Sequence, residues 1–334
     1  MNNFLFVKYQ GLSSGEKSVL ATISVLPSSW YSVKDLFHYL DIHNGSDEGV
    51  KFFDNLHTLA RKGWLNFTKG CYKISDSANS FLTSLKINEQ HYLRTLIEKV
   101  SGYFAKPQIV ERRKEYEHIA ANILDKIKSP SKKLALLAKN FSKYCLNLKQ
   151  KCLALKYSDM AVDIQKQVDV YDEDLCSIFA EKAAVLNSAG KYGEAIETGL
   201  KCLDFCVMHK RPNKTKTYAL ELCYGVMSSA FERLNDYKKS LLYALKAIET
   251  GRRNRNFGVY EQAMSLYNAA VSYYKDGEFA RARFYIIKAY AEYCNENSGH
   301  RPGWFSKWNI RRIRYCVRYR INYLFSRIFH HFSS

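Results

Sequence analysis

No run of apolar residues in this 334-residue chain approaches the roughly 18 to 20 that a membrane span needs, and the opening "FLFV" is too brief for the core of a secretion signal. Those two absences make the cytoplasm the expected location. A disulfide framework is missing as well: nine cysteines, an odd number, fall at no paired spacing, so reduced thiols packed as small apolar residues are expected. Negative charge is scarce in two zones. No acidic residue follows Glu296, and between Asp125 and Asp159 lie nine lysines without one acid. The formal charge of +19 is concentrated there, with +8 in 86–170 and +8 in 297–334, against +1 in 1–85 and +2 in 171–296. Blocks of this kind read as solvated faces or as docking sites for acidic partners.

A nucleotide loop is also lacking. The segment "FLFVKYQGLSSGEKSVL" sets an apolar run, readable as a strand, before Gly11, Gly15, Lys17 and Ser18. The phosphate-loop motif needs a glycine directly before its lysine, and Glu16 stands there. A carboxylate at that point repels phosphate, and no apolar run ending in aspartate supplies a magnesium ligand. The same letters fit a capping box, Ser13-x-x-Glu16, opening an amphipathic helix over 14–26 that Pro27 stops. No catalytic, cofactor-binding or metal-binding residue is expected, and the chain reads as a non-enzyme.

What the chain does have is 47% hydrophobic residues, ample for two domains or one extended array. Ser32 can cap "VKDLFHYL", and Ser46 or Asp47 can cap "EGVKFFDNLHTLARKG", where Val50, Phe53, Leu56, Leu59 and Ala60 recur at helical spacing and Gly63 suits the stop. "WLNFTKGCYKIS" then gives two β-prone segments around Thr68-Lys69-Gly70, a hairpin with glycine available for positive φ. Three helices followed by a hairpin is a winged-helix order, expected over 10–85. The residues "LARKGWLNF...GCYKISDSANSFL" resemble the winged-helix element that follows the nucleotide-binding region in signal-transduction ATPases with numerous domains. The ATPase itself has no counterpart here. A winged helix invites DNA reading by its third helix. That helix, however, mixes Asp47, Glu48 and Asp54 with Lys51, Arg61 and Lys62, so a protein-facing or structural role is expected ahead of DNA contact. His57, alone on the same helix, reads as a surface or packing residue.

Internal similarity marks the remainder. "AEKAAVLNSAGKYGEAIETGLKCLDF", "GVMSSAFERLNDYKKSLLYALKAIETG" and "NAAVSYYKDGEFARARFYIIKAYAEY" share a helix, a turn and a second helix with small residues seven apart. The turns are Gly190-Lys191-Tyr192, Asn235-Asp236-Tyr237 and Gly277-Glu278-Phe279. The first helices carry Ala183, Ser228 and Ala270; the second carry Ala195 and Cys202, Ser240 and Ala247, and Ala282 and Ala289. The pattern resembles the tetratricopeptide repeat (TPR), in which small side chains let paired helices approach and an aromatic after the turn fills the gap. A weaker copy precedes these, with Ser142, Cys145, Ala154, Ser158 and Ala161 and a turn at Leu148-Lys149-Gln150. The equivalents Lys149, Gly190, Asn235 and Gly277 are 41, 45 and 42 residues apart. The usual period is about 34, so longer helices are implied, similar to the extended repeats of kinesin light chains and of the arrays behind the winged helices just named.

The expected fold is therefore mainly α. A winged-helix-like domain (10–85) is followed by connecting helices (86–130), with "HYLRTLIEKVSGYF" and "IVERRKEYEHIAANILDKI" forming one pair. An α-solenoid of about four TPR-like repeats (131–296) and a basic amphipathic helix (304–330) complete it. The family's geometry implies a groove faced by Lys139 and Lys143 in the first copy, Asn187 in the second, Arg233 in the third, and Tyr267, Asn268, Tyr274 and Lys275 in the fourth. Such polar and aromatic groups suit an extended peptide of acidic character. Taken singly, each also reads as a residue on the solvated side of a helix. The lysine–asparagine clamp for C-terminal carboxylates seen in some members is not reproduced.

Cys202, Cys206 and His209 share one helical face, yet Cys202 holds a small-residue packing position and no fourth ligand is near, so core packing is expected rather than metal. In the tail, Ile310, Ile313, Val317, Ile321, Leu324 and Ile328 form one stripe, flanked or opposed by Arg311, Arg312, Arg314, Arg318, Arg320 and Arg327. That helix is either a cap on the solenoid or a contact for an anionic membrane surface or nucleic acid. The functional expectation is a scaffold or adaptor that binds a protein or peptide in the groove. A nucleic-acid-binding regulator is the alternative, and a peripheral membrane protein held by its tail is the third reading.

Overall fold

The computed structural model describes residues 2–27, 29–85, 91–105, 113–127, 129–168, 174–208, 214–253 and 259–295. The chain divides into two compact units, 1–144 with 160–170, and 145–159 with 171 onward. The first unit comprises α1 (Asn2–Gln10), α2 (Ser14–Val25), β1 (Tyr31–Ser32), α3 (Val33–Leu40), α4 (Asp47–Arg61), β2 (Leu65–Thr68), β3 (Cys71–Ile74), α5 (Asp76–Ser84), α6 (His91–Ala105), α7 (Arg113–Lys126) and most of α8 (Lys132–Asn147). Helix α9 (Lys151–Val168) is divided between the units. The second unit continues with α10 (Asp174–Ala189), α11 (Tyr192–Met208), α12 (Lys214–Arg233), α13 (Tyr237–Arg253), α14 (Val259–Lys275) and α15 (Phe279–Asn295).

The opening apolar run is a helix, not a strand. Four apolar residues are too few to fix a period, and the helical α1 lets Tyr9 dock edge-on to Trp64, with ring centroids 6.1 Å apart, and beside Phe81 at 5.9 Å. Helix α2 starts at its capping box, where Ser13 Oγ accepts from Glu16 N at 3.1 Å and Glu16 Oε2 accepts from Ser13 N at 2.7 Å. From Ser18 to Val25 every residue is buried, polar Ser18, Thr22 and Ser24 included. Val19, Leu20 and Val25 are fully buried, and α4, α5, α6, α7 and β3 all pack against it. The helical pair expected in 90–127 is α6 and α7. Both are tied to α2, through Tyr92 N donating to Ser18 Oγ at 3.1 Å and Lys126 Nζ donating to Ser24 O at 2.6 Å.

Helix α4 is capped by Ser46, whose Oγ accepts from Gly49 N at 3.1 Å, and stops at Gly63, with φ of 75°. Its buried side is Gly49, Phe52, Leu56 and Leu59. The stripe read from the letters was thus half right: Val50 and Phe53 face outward. The hairpin forms as expected, β2 pairing with β3 from Leu65↔Ile74 to Thr68↔Cys71. Lys69 and Gly70 both hold positive φ, 50° and 76°, the two-residue turn whose twist matches the strands. A third strand, β1, pairs with β3 at Tyr31↔Tyr72 and gives the order β1-β3-β2. Two residues carry no alternation, so nothing in the sequence announced it.

In the second unit the helices pair as hairpins, α10 with α11, α12 with α13 and α14 with α15. The first helices also pack in succession, α10 on α12 and α12 on α14.

Candidate partner-binding surface

The four repeat turns share one backbone geometry. Lys149, Gly190, Asn235 and Gly277 all sit at left-handed φ, 63°, 87°, 63° and 82°. At each, the residue's own N–H bonds the carbonyl three back and the next N–H bonds the carbonyl five back, from Lys149→Leu146 and Gln150→Cys145 to Gly277→Tyr274 and Glu278→Tyr273. This paired pattern satisfies the orphan carbonyls of a helix end. The following residue then caps the second helix, its carbonyl accepting from Ala154, Ala195, Ser240 or Ala282. The weak first copy therefore turns at Lys149-Gln150-Lys151, one residue later than the letters indicated. All fourteen small positions are buried: Ser142, Cys145, Ala154, Ser158 and Ala161; Ala183, Ala195 and Cys202; Ser228, Ser240 and Ala247; Ala270, Ala282 and Ala289. With so little side chain at these points, helices can approach until side chains on either side interlock.

Beneath the inner face of the last two repeats runs a buried hydroxyl ladder. Ser228 Oγ donates to Ser240 O at 2.9 Å, Ser240 Oγ meets Ser272 Oγ at 2.9 Å, and Ser272 Oγ donates to Asn268 O at 3.0 Å. Asn187 on α10 points its Nδ2 at Ser229 Oγ on α12, 3.4 Å away, while its buried Oδ1 accepts no hydrogen bond among the described residues. Ser229 was not among the residues singled out from sequence; only the stacking of first helices identifies it. Arg233 and Lys275 are exposed at the ends of α12 and α14, Lys275 Nζ lying 5.8 Å from the Tyr237 ring centroid. Tyr274 meets Phe279 edge-on at 5.6 Å. Tyr267 is half-buried against Leu266, Ala269, Ala270 and Ile286, and Asn268 is buried, so these two belong as much to the packing as to a groove. Lys139, half-buried, and Lys143, exposed, stand on α8 in the first unit. The arginines 311, 312, 314, 318 and 320 lie outside the described residues.

Cys202 and Cys206 on α11 sit with Cys176 on α10 and Cys223 on α12. His209, the third member of the metal-like spacing, lies outside the described residues. Cys202 Sγ donates to Cys176 O at 3.2 Å and Cys223 Sγ to Gly199 O at 3.1 Å. The Cys206 thiol, together with burial, pushes Cys176 far above the ordinary thiol range. For Cys202 a lowering contact from Cys206 is outweighed by the Cys223 thiol and burial. Cys206 is pushed up to about 12, the Cys176 contact being outweighed by the Cys202 thiol and burial. Cys176, Cys202, Cys206 and Cys223 are all buried free thiols. Among the described residues no three His, Cys, Asp or Glu side chains are disposed to hold a metal ion, and no helix is long and apolar enough to cross a membrane.

The outward side of α4 differs from a nucleic-acid-reading helix. Val50 and Phe53 are exposed there beside Lys51, Asp54 and Arg61, and Phe67 is exposed on β2. A phosphate-binding face needs concentrated cations, and this one has an apolar centre with charges of both signs.

No protein-family model and no curated protein matches the chain. Solved structures do resemble it. Aspartyl phosphate phosphatase F from Bacillus subtilis aligns over 96% of this chain and 84% of its own, at 11% identity and a TM-score of 0.51. BtubC (BKLC) from P. vanneervenii aligns over 63% of this chain and 85% of its own, at 12% identity and a TM-score of 0.51. A kinesin light chain with nearly identical TPR-like repeats from Podospora anserina aligns over 62% and 97%, at 12% identity and a TM-score of 0.45. The structures similar to this chain are TPR-like repeat proteins, and at these identities the likeness is one of fold: a mostly helical, TPR-like solenoid.

Proposed function

We propose that the protein is a non-enzymatic interaction scaffold that holds an extended peptide or protein segment along the first helices of its repeats. The observation that carries this reading is Asn187. Its buried Oδ1 has no donor among the described residues, and a buried acceptor left unsatisfied costs about 1–3 kcal/mol. A backbone N–H of an extended ligand would relieve that cost. The exposed cations Arg233 and Lys275 on the neighbouring first helices favour a ligand of acidic character, with Tyr274 offering a flat apolar surface. We read α2-β1-α3-α4-β2-β3 of the first unit as winged-helix-like and its outward α4 face as protein-facing. The cytoplasm is the proposed setting, because the buried thiols pack as reduced side chains. Likeness to a phosphatase at 11% identity is a likeness of fold.

The test is affinity capture with the full chain, followed by titration of the captured segment. Lys275→Glu should weaken binding of an acidic segment at least about tenfold with an unchanged melting temperature. Asn187→Ala should weaken it by a smaller factor. Capture of no protein or peptide, or equal affinity for both variants and the parent, would overturn the reading.

A further inference from the structure

Helix α4 carries two apolar stripes, and only one of them is used by the fold. Gly49, Phe52, Leu56 and Leu59 are buried. On the other side Val50 is 54% exposed and Phe53 39%, and the row continues through His57 to Phe67 on β2, which is 48% exposed. The rings are in contact with one another: Phe53 to His57 at 4.4 Å, His57 to Phe67 at 5.6 Å, and Phe67 to Tyr72 at 4.8 Å. Tyr72 OH lies 3.2 Å from His57 Nε2 and holds that ring in place. An aromatic row ordered before any partner arrives loses little side-chain entropy on contact, and contiguous exposed apolar rows of this kind mark association sites.

We infer that this row is a self-association surface, covered by the same face of a second copy of the chain. The argument is its charge order. The exposed acids Asp47 and Glu48 open α4, Arg61 closes it, and Lys51 and Asp54 lie between. Glu48 is already paired with His91 at 2.9 Å, which leaves Asp47 as the main acid of that end. In a twofold contact α4 runs antiparallel to its copy, and in the register that brings Asp47 opposite Arg61 residue 54 lies at the axis, with each Lys51 within one turn of the copy's Asp54. A face polarised along its length is complementary to itself under a twofold axis, which an isologous interface requires. A partner of one charge sign would leave one end of α4 opposed by like charge. The row is short, so the contact belongs with the small interfaces under about 1,200 Å² and the dimer is weak.

Sedimentation equilibrium on the full chain, from about 1 to about 200 µM, reads the association directly. A monomer–dimer equilibrium is expected. Phe53→Ser and Phe67→Ser should each weaken it at least about tenfold. Arg61→Glu should weaken it as well, and adding Asp47→Lys to that variant should restore the dimer to within about threefold of the parent. Circular dichroism of each variant checks that the fold is kept, and Lys275→Glu, in the separate repeat surface, should leave dimerisation unchanged. A chain that stays monomeric over the whole range overturns the inference, whether or not another protein binds this face. So does a dimer indifferent to both phenylalanine substitutions, or a charge reversal that the second reversal does not rescue.

Discussion

Glu16 is almost fully buried, and its carboxylate serves two partners: Oε2 accepts from Ser13 N at 2.7 Å to close the capping box, and Oε1 accepts from Lys62 Nζ at 2.6 Å. Burial alone would raise its pKa, but the Lys62 and Ser13 hydrogen bonds and the Lys62 charge together outweigh it, so the group titrates below the ordinary 4.5. A depressed carboxylate contributes stability that is present above its unfolded value and is lost as pH falls through the folded one. Glu16→Gln should therefore cost about 1–3 kcal/mol at neutral pH. Lys62 is 39% exposed, and water on that side of the pair places the expected cost in the lower half of the range. Urea unfolding measures it: the gap between parent and variant should narrow as the pH drops below 4.5. A gap that stays constant with pH would show the charge to be irrelevant. Half of this arrangement was legible in the letters, because a capping box spans only four residues. The other half was not, since Lys62 lies 46 residues away and only the packing of α4 on α2 brings it in.

At the scale of the element, the repeat turns show why small residues and glycine were such readable signals. Each turn needs one residue at left-handed φ, and the chain fills that position with Gly190 and Gly277 but also with Lys149 and Asn235. A Cβ at Gly190 would meet nothing within 4 Å, so Gly190→Ala should cost about 1 kcal/mol from backbone conformation alone. Lys149→Gly should do the reverse. The relief of roughly 1–2 kcal/mol at left-handed φ exceeds the roughly 0.4–1 kcal/mol lost through a freer unfolded chain. Opposite shifts of the urea midpoint for these two variants are the expected result, and shifts of the same sign would contradict the shared turn geometry. Where the sequence misled was α4. Val50 and Phe53 share helical spacing with Leu56 as well as Phe52 does, so periodicity could not say which of two overlapping stripes faces inward. Contacts from α2 decided it, with Gly49 allowing the close approach of the α3–α4 connection, where an added Cβ would lie 3.0 Å from His43 O. β1 was equally beyond reach, since its two residues gain their structure wholly from β3.

At the scale of the molecule, the two units should lose structure in different ways. The first is centred: α2 is enclosed by α4, α5, α6, α7 and β3, so five elements share one central helix. The second is serial, each hairpin packing on the next, and in such arrays stability is a sum of local terms and nearest-neighbour contacts. Leu20, fully buried in α2, and Ala282, buried in the α14–α15 hairpin, test the contrast. Leu20→Ala removes a core side chain at a cost of about 2–5 kcal/mol. Because α2 packs against α4, α6 and α7, amide protection should fall together in all four helices. Ala282→Leu overfills a close helix contact at about 1–3 kcal/mol. Its effect should be strongest in α14 and α15, weaker in α12 and α13, and absent from α10 and α11. Native-state hydrogen exchange resolves these segments separately. If Ala282→Leu lowered protection in α10 as much as in α15, the repeats would be one cooperative block. The periodic small residues would then mark packing density without marking independent units.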